Sequence, residues 1–358
     1  MRKPSIVFFI LGILLVGACT ESAPPAVPIV PSPTPAPTAA SGPAGLPTPV
    51  ARSTPTSGPV SQAPEFAEVA VWGEAGSDIS FRNPNAIAID SQDNVYVTEF
   101  GGDRIQKFTP DGTLLTQWGG SGIGNGQFRR PTGIAIDRFD QVYVAESGNS
   151  RVQKFDSDGE WLATFGGNGR GLGMFRSAMV VIVDAQDRVY VSDWGNHRVQ
   201  VFDADGAYLD TLGFPEDSEA QQLNPSGAGT GRRGDGQLFN PTGVGIDGEG
   251  NVFVVDRGNH RVQVFSPRGE FLQKFDRPGT GPGQFQVPTS IAFDSGGNFY
   301  VSEVANHRVQ RFSPTGQFLD EIAPGTLSNP HGMAFDSTGA FYVADTGNRV
   351  VRKFVAAD

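Results

Sequence analysis

The octapeptide GNHRVQVF stands at residues 195–202 and again, unchanged, at 258–265, sixty-three positions later. This copy belongs to a longer periodicity. An aspartate closes an apolar stretch at Asp90, Asp137, Asp184, Asp247, Asp294 and Asp336. An arginine follows each, at Arg104, Arg151, Arg198, Arg261, Arg308 and Arg349, so the offset is 14 in five copies and 13 in the last. The period is 47 residues between most copies and 63 between the third and fourth. Six units therefore run from residue 65 onward, and one supersecondary unit of that length cannot bury its apolar face without stacking on its neighbours.

Each unit reads as four strands. In the second copy TGIAID is a short apolar run, QVYVAES and RVQKF alternate on either side of a turn, and EWLATFG alternates after the hairpin pair Asp158-Gly159. Four-stranded units at this period predict an all-β, six-bladed β-propeller. The 47 glycines and 27 prolines suit a chain of many turns and few long helices. An acid precedes the arginine by five residues at Glu99, Glu146, Asp193, Asp256 and Glu303, and by four at Asp345, which predicts a structural ion pair across the second hairpin of each blade. The sixth unit lacks a fourth strand. Residues 65–73 (EFAEVAVWG) have the pattern of one, so the N-terminal strand is expected to complete the last blade.

The Asn-His-Arg-Val-Gln-Val-Phe run, the Asp-Gly turn after it, and the segments GNGQFRRP (124–131) and GPGQFQVP (281–288) resemble NHL repeats, the six-bladed propeller family. The resemblance covers residues 65–354. It implies a channel whose mouth carries function in the catalytic relatives. In the amidating-lyase branch zinc is held by histidines of alternate blades where the chain turns into the innermost strand, and in gluconolactonase-like propellers a metal is held by carboxylate and amide groups.

Four histidines must be weighed against those expectations. His197, His260 and His307 occupy the same hairpin turn in blades three, four and five. Blades diverge toward the rim, so the three are expected to serve hairpin architecture and not to share one ion. His331 sits where the chain enters the innermost strand, with Asn85, Thr132, Met179, Thr242 and Thr289 as equivalents, and these six are expected to ring one mouth of the channel. The alternate blades supply Thr132, Thr242 and His331, one histidine instead of three, and the ring has no carboxylate. No metal, cofactor or catalytic residue is therefore expected. The candidate ligand-binding residues are His331, Asn85, Thr132, Thr242 and Thr289 in the ring, with Phe100, Trp194 and Arg257 on hairpins of the same face. A metal-dependent lyase or hydrolase at the mouth is the alternative.

Other features are weaker. GGNGRGLG (166–173) lies between strands and opens no helix, so it reads as an interblade turn and not a phosphate loop. The DSDG and DADG segments at 156–159 and 203–206 lack the glutamate of a calcium loop. Trp72, Trp118 and Phe165 are expected to pack between blades. Blade three should line its side of the channel with apolar side chains, Met179 to Val183. The insertion within residues 214–237 either overhangs the mouth or is a solvated loop.

The N-terminus bears on location. Arg2 and Lys3 precede an apolar run, Ile6 to Val16, too short for a membrane span, and Val16-Gly17-Ala18-Cys19 resembles the lipobox of bacterial lipoproteins. Residues 1–18 are expected to be a signal peptide, residues 19–64 a lipidated Cys19 followed by a Pro/Ser/Thr-rich disordered tether, and residues 65–358 the propeller. The one cysteine excludes an internal disulfide. A net charge of −11 opposes nucleic-acid binding. The sequence thus predicts a monomeric propeller held on the outer side of a cell membrane by its lipid, acting as a non-catalytic module for a protein, peptide or glycan.

Overall fold

The structure, a computed structural model, describes residues 66–74, 76, 79–213 and 234–357. Cys19, the tether and most of the 214–237 insertion lie outside the described residues. Six antiparallel four-stranded sheets are present. Their innermost strands are Pro84–Ile89, Pro131–Ile136, Ala178–Val183, Val244–Ile246, Pro288–Phe293 and Pro330–Phe335. Each packs on the next and the first packs on the last, which closes the ring.

The closing blade is built as the sequence predicts. Strand Phe66–Trp72 pairs antiparallel with Val350–Ala356, from Phe66 opposite Ala356 to Trp72 opposite Val351. Trp72 then lies between Phe108 of the first blade and Tyr342 of the sixth, with ring centroids 5.5 and 5.6 Å away. The join is therefore held by side-chain packing as well as by a strand ladder.

Strand character follows position in the blade. Every residue of the second strands, such as Val95–Glu99 and Val142–Glu146, is buried, because neighbouring blades cover both faces of the sheet. The outermost strands, such as Leu114–Gly119, face solvent on one side and keep an alternating pattern. Between blades, the Trp118 ring rests against Gly159, which has φ +90° and whose added Cβ would stand 2.6 Å from that ring.

The repeated residues are explained by what they hold. Asp90 caps the first hairpin: Oδ1 accepts the backbone N–H of Gln92 and of Asn94 (2.9 and 2.8 Å), and Oδ2 accepts the Tyr96 hydroxyl at 3.1 Å. Asp137 and Asp336 do the same with Tyr143 and Tyr342. In the second hairpin Arg151 Nε donates to Glu146 (2.6 Å), Arg198 to Asp193 (2.9 Å), Arg261 to Asp256 (2.7 Å) and Arg308 to Glu303 (2.8 Å), and Arg104 pairs with Glu99. Burial pushes the carboxyls of Asp193 and Asp256 above their usual range despite these partners. The same guanidinium groups reach the Gly-x-Gly-x-Phe connections: Arg198 Nη2 donates to the carbonyls of Gly171 (2.6 Å) and Met174 (2.8 Å). GGNGRGLG is thus an interblade turn organised by an arginine.

The sixth blade corrects one expectation. Arg349 does not pair with Asp345. It occupies the left-handed turn position (φ 60°) that His197 fills in blade three, and Arg352 reaches Asp345 instead, Nε to Oδ2 at 2.7 Å. The hairpin is not shortened; a different arginine makes the pair.

The three histidines of the hairpin turns serve architecture. His197, His260 and His307 all have positive φ (60°, 56° and 54°). Each Nδ1 accepts a backbone N–H of the next blade: Asn240 at 3.1 Å, Val287 at 2.9 Å and Asn329 at 3.1 Å. Asp103 and Ser150 make the equivalent bond to Arg130 and Ser177 in earlier blades. The octapeptide is a latch between neighbouring blades.

Candidate functional site

The chain turns into each innermost strand through a left-handed residue: Asn83, Arg130, Ser177, Asn240, Val287 or Asn329. Val287 is β-branched, and φ 53° is costly for it. The bond to His260 holds it there. Two residues after each of these stand Asn85, Thr132, Met179, Thr242, Thr289 and His331, and the structure brings all six together around one central cavity of about 100 Å³. Ile87, Ile134, Val181, Val244, Ile291 and Met333 form an apolar ring in the same cavity. Blade three contributes Met179, Val180, Val181 and Ile182, so its side is apolar, as its sequence predicts.

Polar groups at the mouth are unequally satisfied. Asn85 Nδ2 donates to His331 Nδ1 at 3.3 Å, which places the imidazole proton on Nε2. Burial, and secondarily the Arg257 guanidinium, lower the His331 pKa to about 4. The Thr132 hydroxyl has the carbonyls of Ala145 and Ala178 at 3.2 Å, and Thr289 Oγ1 donates to the Val287 carbonyl at 3.2 Å. Thr242 is 1% exposed, and its Oγ1 has no hydrogen-bond partner among the described residues.

Arg257 also lines the cavity. It opens the short 3-10 turn Arg257–Asn259, directly after the buried Asp256, whose carboxylate is engaged by Arg261. No carboxylate pairs with Arg257 among the described residues, and burial lowers its pKa. The other two hairpin candidates do not line this cavity. Trp194 is 39% exposed on its 3-10 turn. Phe100 is half-buried beneath the Arg130 guanidinium, 5.7 Å from the ring centre. The opposite face carries an exposed aromatic too: Phe139, in a first-hairpin turn, is 65% exposed with Arg138 stacked on it.

These donors do not fit a divalent cation. One imidazole, an amide and hydroxyl groups face a guanidinium, with no carboxylate in the ring. Among the described residues no three His, Cys, Asp or Glu side chains come together as a metal site. Sequence reasoning placed the ring but missed two features, the approach of Arg257 to His331 and the orphan Thr242 hydroxyl. Both arise between blades, and neither has a local sequence signal.

Comparison with known proteins agrees on the fold. An NHL-repeat family model matches residues 128–155 and 180–202, and a family described as a 6-bladed beta-propeller matches residues 246–346. The rat E3 ubiquitin-protein ligase TRIM71 is 51% identical over 41 residues, 12% of this chain and 5% of that protein. Protein lin-41 of Caenorhabditis elegans is 49% identical over 41 residues, 12% of this chain and 4% of that protein. The chain thus matches only a small fraction of these curated relatives. Among solved structures, the gluconolactonase of Xanthomonas campestris aligns with a TM-score of 0.58 at 16% identity, covering 78% of this chain and 87% of that one. The virginiamycin B lyase of Staphylococcus aureus aligns at 0.55 and 14%, covering 82% and 100%. A chain of a nidogen/laminin complex aligns at 0.52 and 17%, covering 70% and 84%.

Proposed function

This chain carries NHL repeats in a six-bladed β-propeller, and from that premise we propose that it is a non-catalytic binding module that engages its ligand at the channel mouth. The fold alone does not choose, because its structural neighbours include lyase and gluconolactonase structures and a chain of a nidogen/laminin complex. One observation carries the reading. The mouth joins a neutral imidazole to a guanidinium that no carboxylate pairs with among the described residues, a set that repels a metal ion and still offers directed hydrogen bonds above apolar walls.

The ligand class is a protein, peptide or glycan met outside the cytoplasm, and the anchor is a lipid on Cys19, beyond a tether that at ~3.1 Å per residue would extend about 140 Å. Fatty-acid labelling of the full-length chain, abolished by Cys19→Ser, is expected; an unlabelled native chain contradicts the anchor. For the site, full-length protein is screened on peptide and glycan arrays and the hit is mapped by hydrogen exchange. Protection of the segments around Asn85, Thr132, Thr242, Trp194, Arg257 and His331 is expected. Protection confined to opposite-face turns such as that of Phe139 contradicts the reading, as does a turnover that requires His331.

A further inference from the structure

We propose that the cavity, read as above as a binding site, takes a single carboxylate carried on a small aliphatic body, with the anion between Arg257, Thr242 and His331.

Arg151, Arg198, Arg261 and Arg308 each face a buried carboxylate and backbone carbonyls. Arg257 lines a central cavity with neither among the described residues. A desolvated cation without a counter-charge is costly, and an anion entering from solvent removes that cost. The hydroxyl of Thr242 makes the same point independently. It is buried and unsatisfied, whereas Thr132 and Thr289, in the same ring, use backbone carbonyls.

His331 completes the donor set. Its Nδ1 is occupied by the Asn85 amide, so Nε2–H is the group left to donate. Guanidinium, hydroxyl and imidazole N–H are all donors, and no carboxylate in the ring opposes an incoming one. A neutral ligand would leave the guanidinium uncompensated. Phosphate is a poorer fit, because a dianion would meet one cation only, Arg257. A planar carboxylate matches a guanidinium fork and lets an aliphatic group lie against Ile134, Val181 and Val244. About 100 Å³ limits that group to a few carbons.

The test is calorimetric titration of the full-length chain at pH 7 with four probes: isovalerate, isovaleramide, acetyl-Ala-Ala-Leu and its C-terminal amide. At least one acid is expected to bind one to one and at least tenfold more tightly than its amide. Binding of isovalerate assigns a free small acid; binding of the peptide acid alone assigns a chain terminus. Arg257→Gln is expected to weaken the acid at least tenfold and Thr242→Val severalfold, each with an unchanged circular dichroism spectrum. Saturation with the acid should also raise the His331 pKa in an NMR titration, which a merely structural role of Arg257 would not produce. Equal binding of acid and amide, no binding of either acid, or an affinity unchanged in both variants overturns the inference. If the amides bind as well as the acids and hydrogen exchange still shows protection at the mouth, the carboxylate assignment fails and the binding-site reading survives. If protection lies on the opposite face, that reading fails as well.

Discussion

Arg352 donates from Nε to Asp345 Oδ2 at 2.7 Å, from the position where the other five blades place Gln106, Gln153, Gln200, Gln263 and Gln310. Those glutamines donate to the same acid that the arginine of their own blade holds, as Gln153 does to Glu146 at 2.8 Å. In the sixth blade one guanidinium performs both roles and also reaches Glu68 of the closing strand at 2.6 Å. Arg352→Gln is therefore expected to cost roughly 3 kcal/mol, because it leaves a buried carboxylate short of its cation. Adding Val350→Arg restores the arrangement of the other blades and should recover part of the loss. Arg349→Asn, at a left-handed position that asparagine tolerates, should change little. Urea melts of the three variants check this order.

Ring closure depends on Trp72. Trp72→Ala removes a buried indole from between the first and sixth blades and is expected to cost about 3–5 kcal/mol. Deleting residues 66–72 leaves the edge of Val350–Ala356 unpaired and should produce concentration-dependent aggregation, followed by light scattering during a thermal ramp. A deletion that melts like the native chain would contradict this closure.

Two glycines separate backbone strain from packing. Gly159 and Gly339 have similar φ values, +90° and +85°, but a Cβ on Gly159 meets Trp118 and one on Gly339 meets nothing within 4 Å. Both alanine variants pay about 1 kcal/mol for the backbone, and Gly159→Ala should lose a further 1–3 kcal/mol to the interblade clash. Equal melting shifts for the two would show that the indole gives way.

Much of this was legible in the sequence and some was not. The six blades, the closing strand and the mouth ring follow from the spacing of Asp90 and its successors, because a repeat carries its own register. Arg349 is the arginine nearest Asp345 in sequence, but it sits in the left-handed turn itself, and Arg352 on the following strand makes the pair. Phe100 reads from sequence as a binding candidate on the mouth face, and only packing between blades shows Arg130 stacked on it. The meeting of Arg257 with His331 joins the fourth blade to the sixth, and no local pattern encodes it.

The half-buried imidazole of His331 makes stability depend on pH. His331 titrates near pH 4 in the folded chain, held down by burial and by Arg257, the charged group lining its cavity, and near 6.5 when unfolded. Between these values the unfolded state binds the proton and the folded state does not. Stability is therefore lost as pH falls from 6.5 toward 4, by up to roughly 3 kcal/mol. His331→Gln should remove that part of the slope, measured as the difference between native and variant urea midpoints at pH 7 and pH 4.5. Parallel slopes in the two proteins would contradict the depressed pKa.

On the proposed reading the channel mouth receives a ligand and is not a metal centre. Metal content of the full-length chain, purified from medium supplemented with zinc, magnesium and calcium and measured by plasma mass spectrometry, tests it most directly. The donor set predicts far less than one ion per chain, unchanged by His331→Gln. One tightly held ion per chain that is lost in His331→Gln would contradict the claim and return the mouth to metal-dependent chemistry.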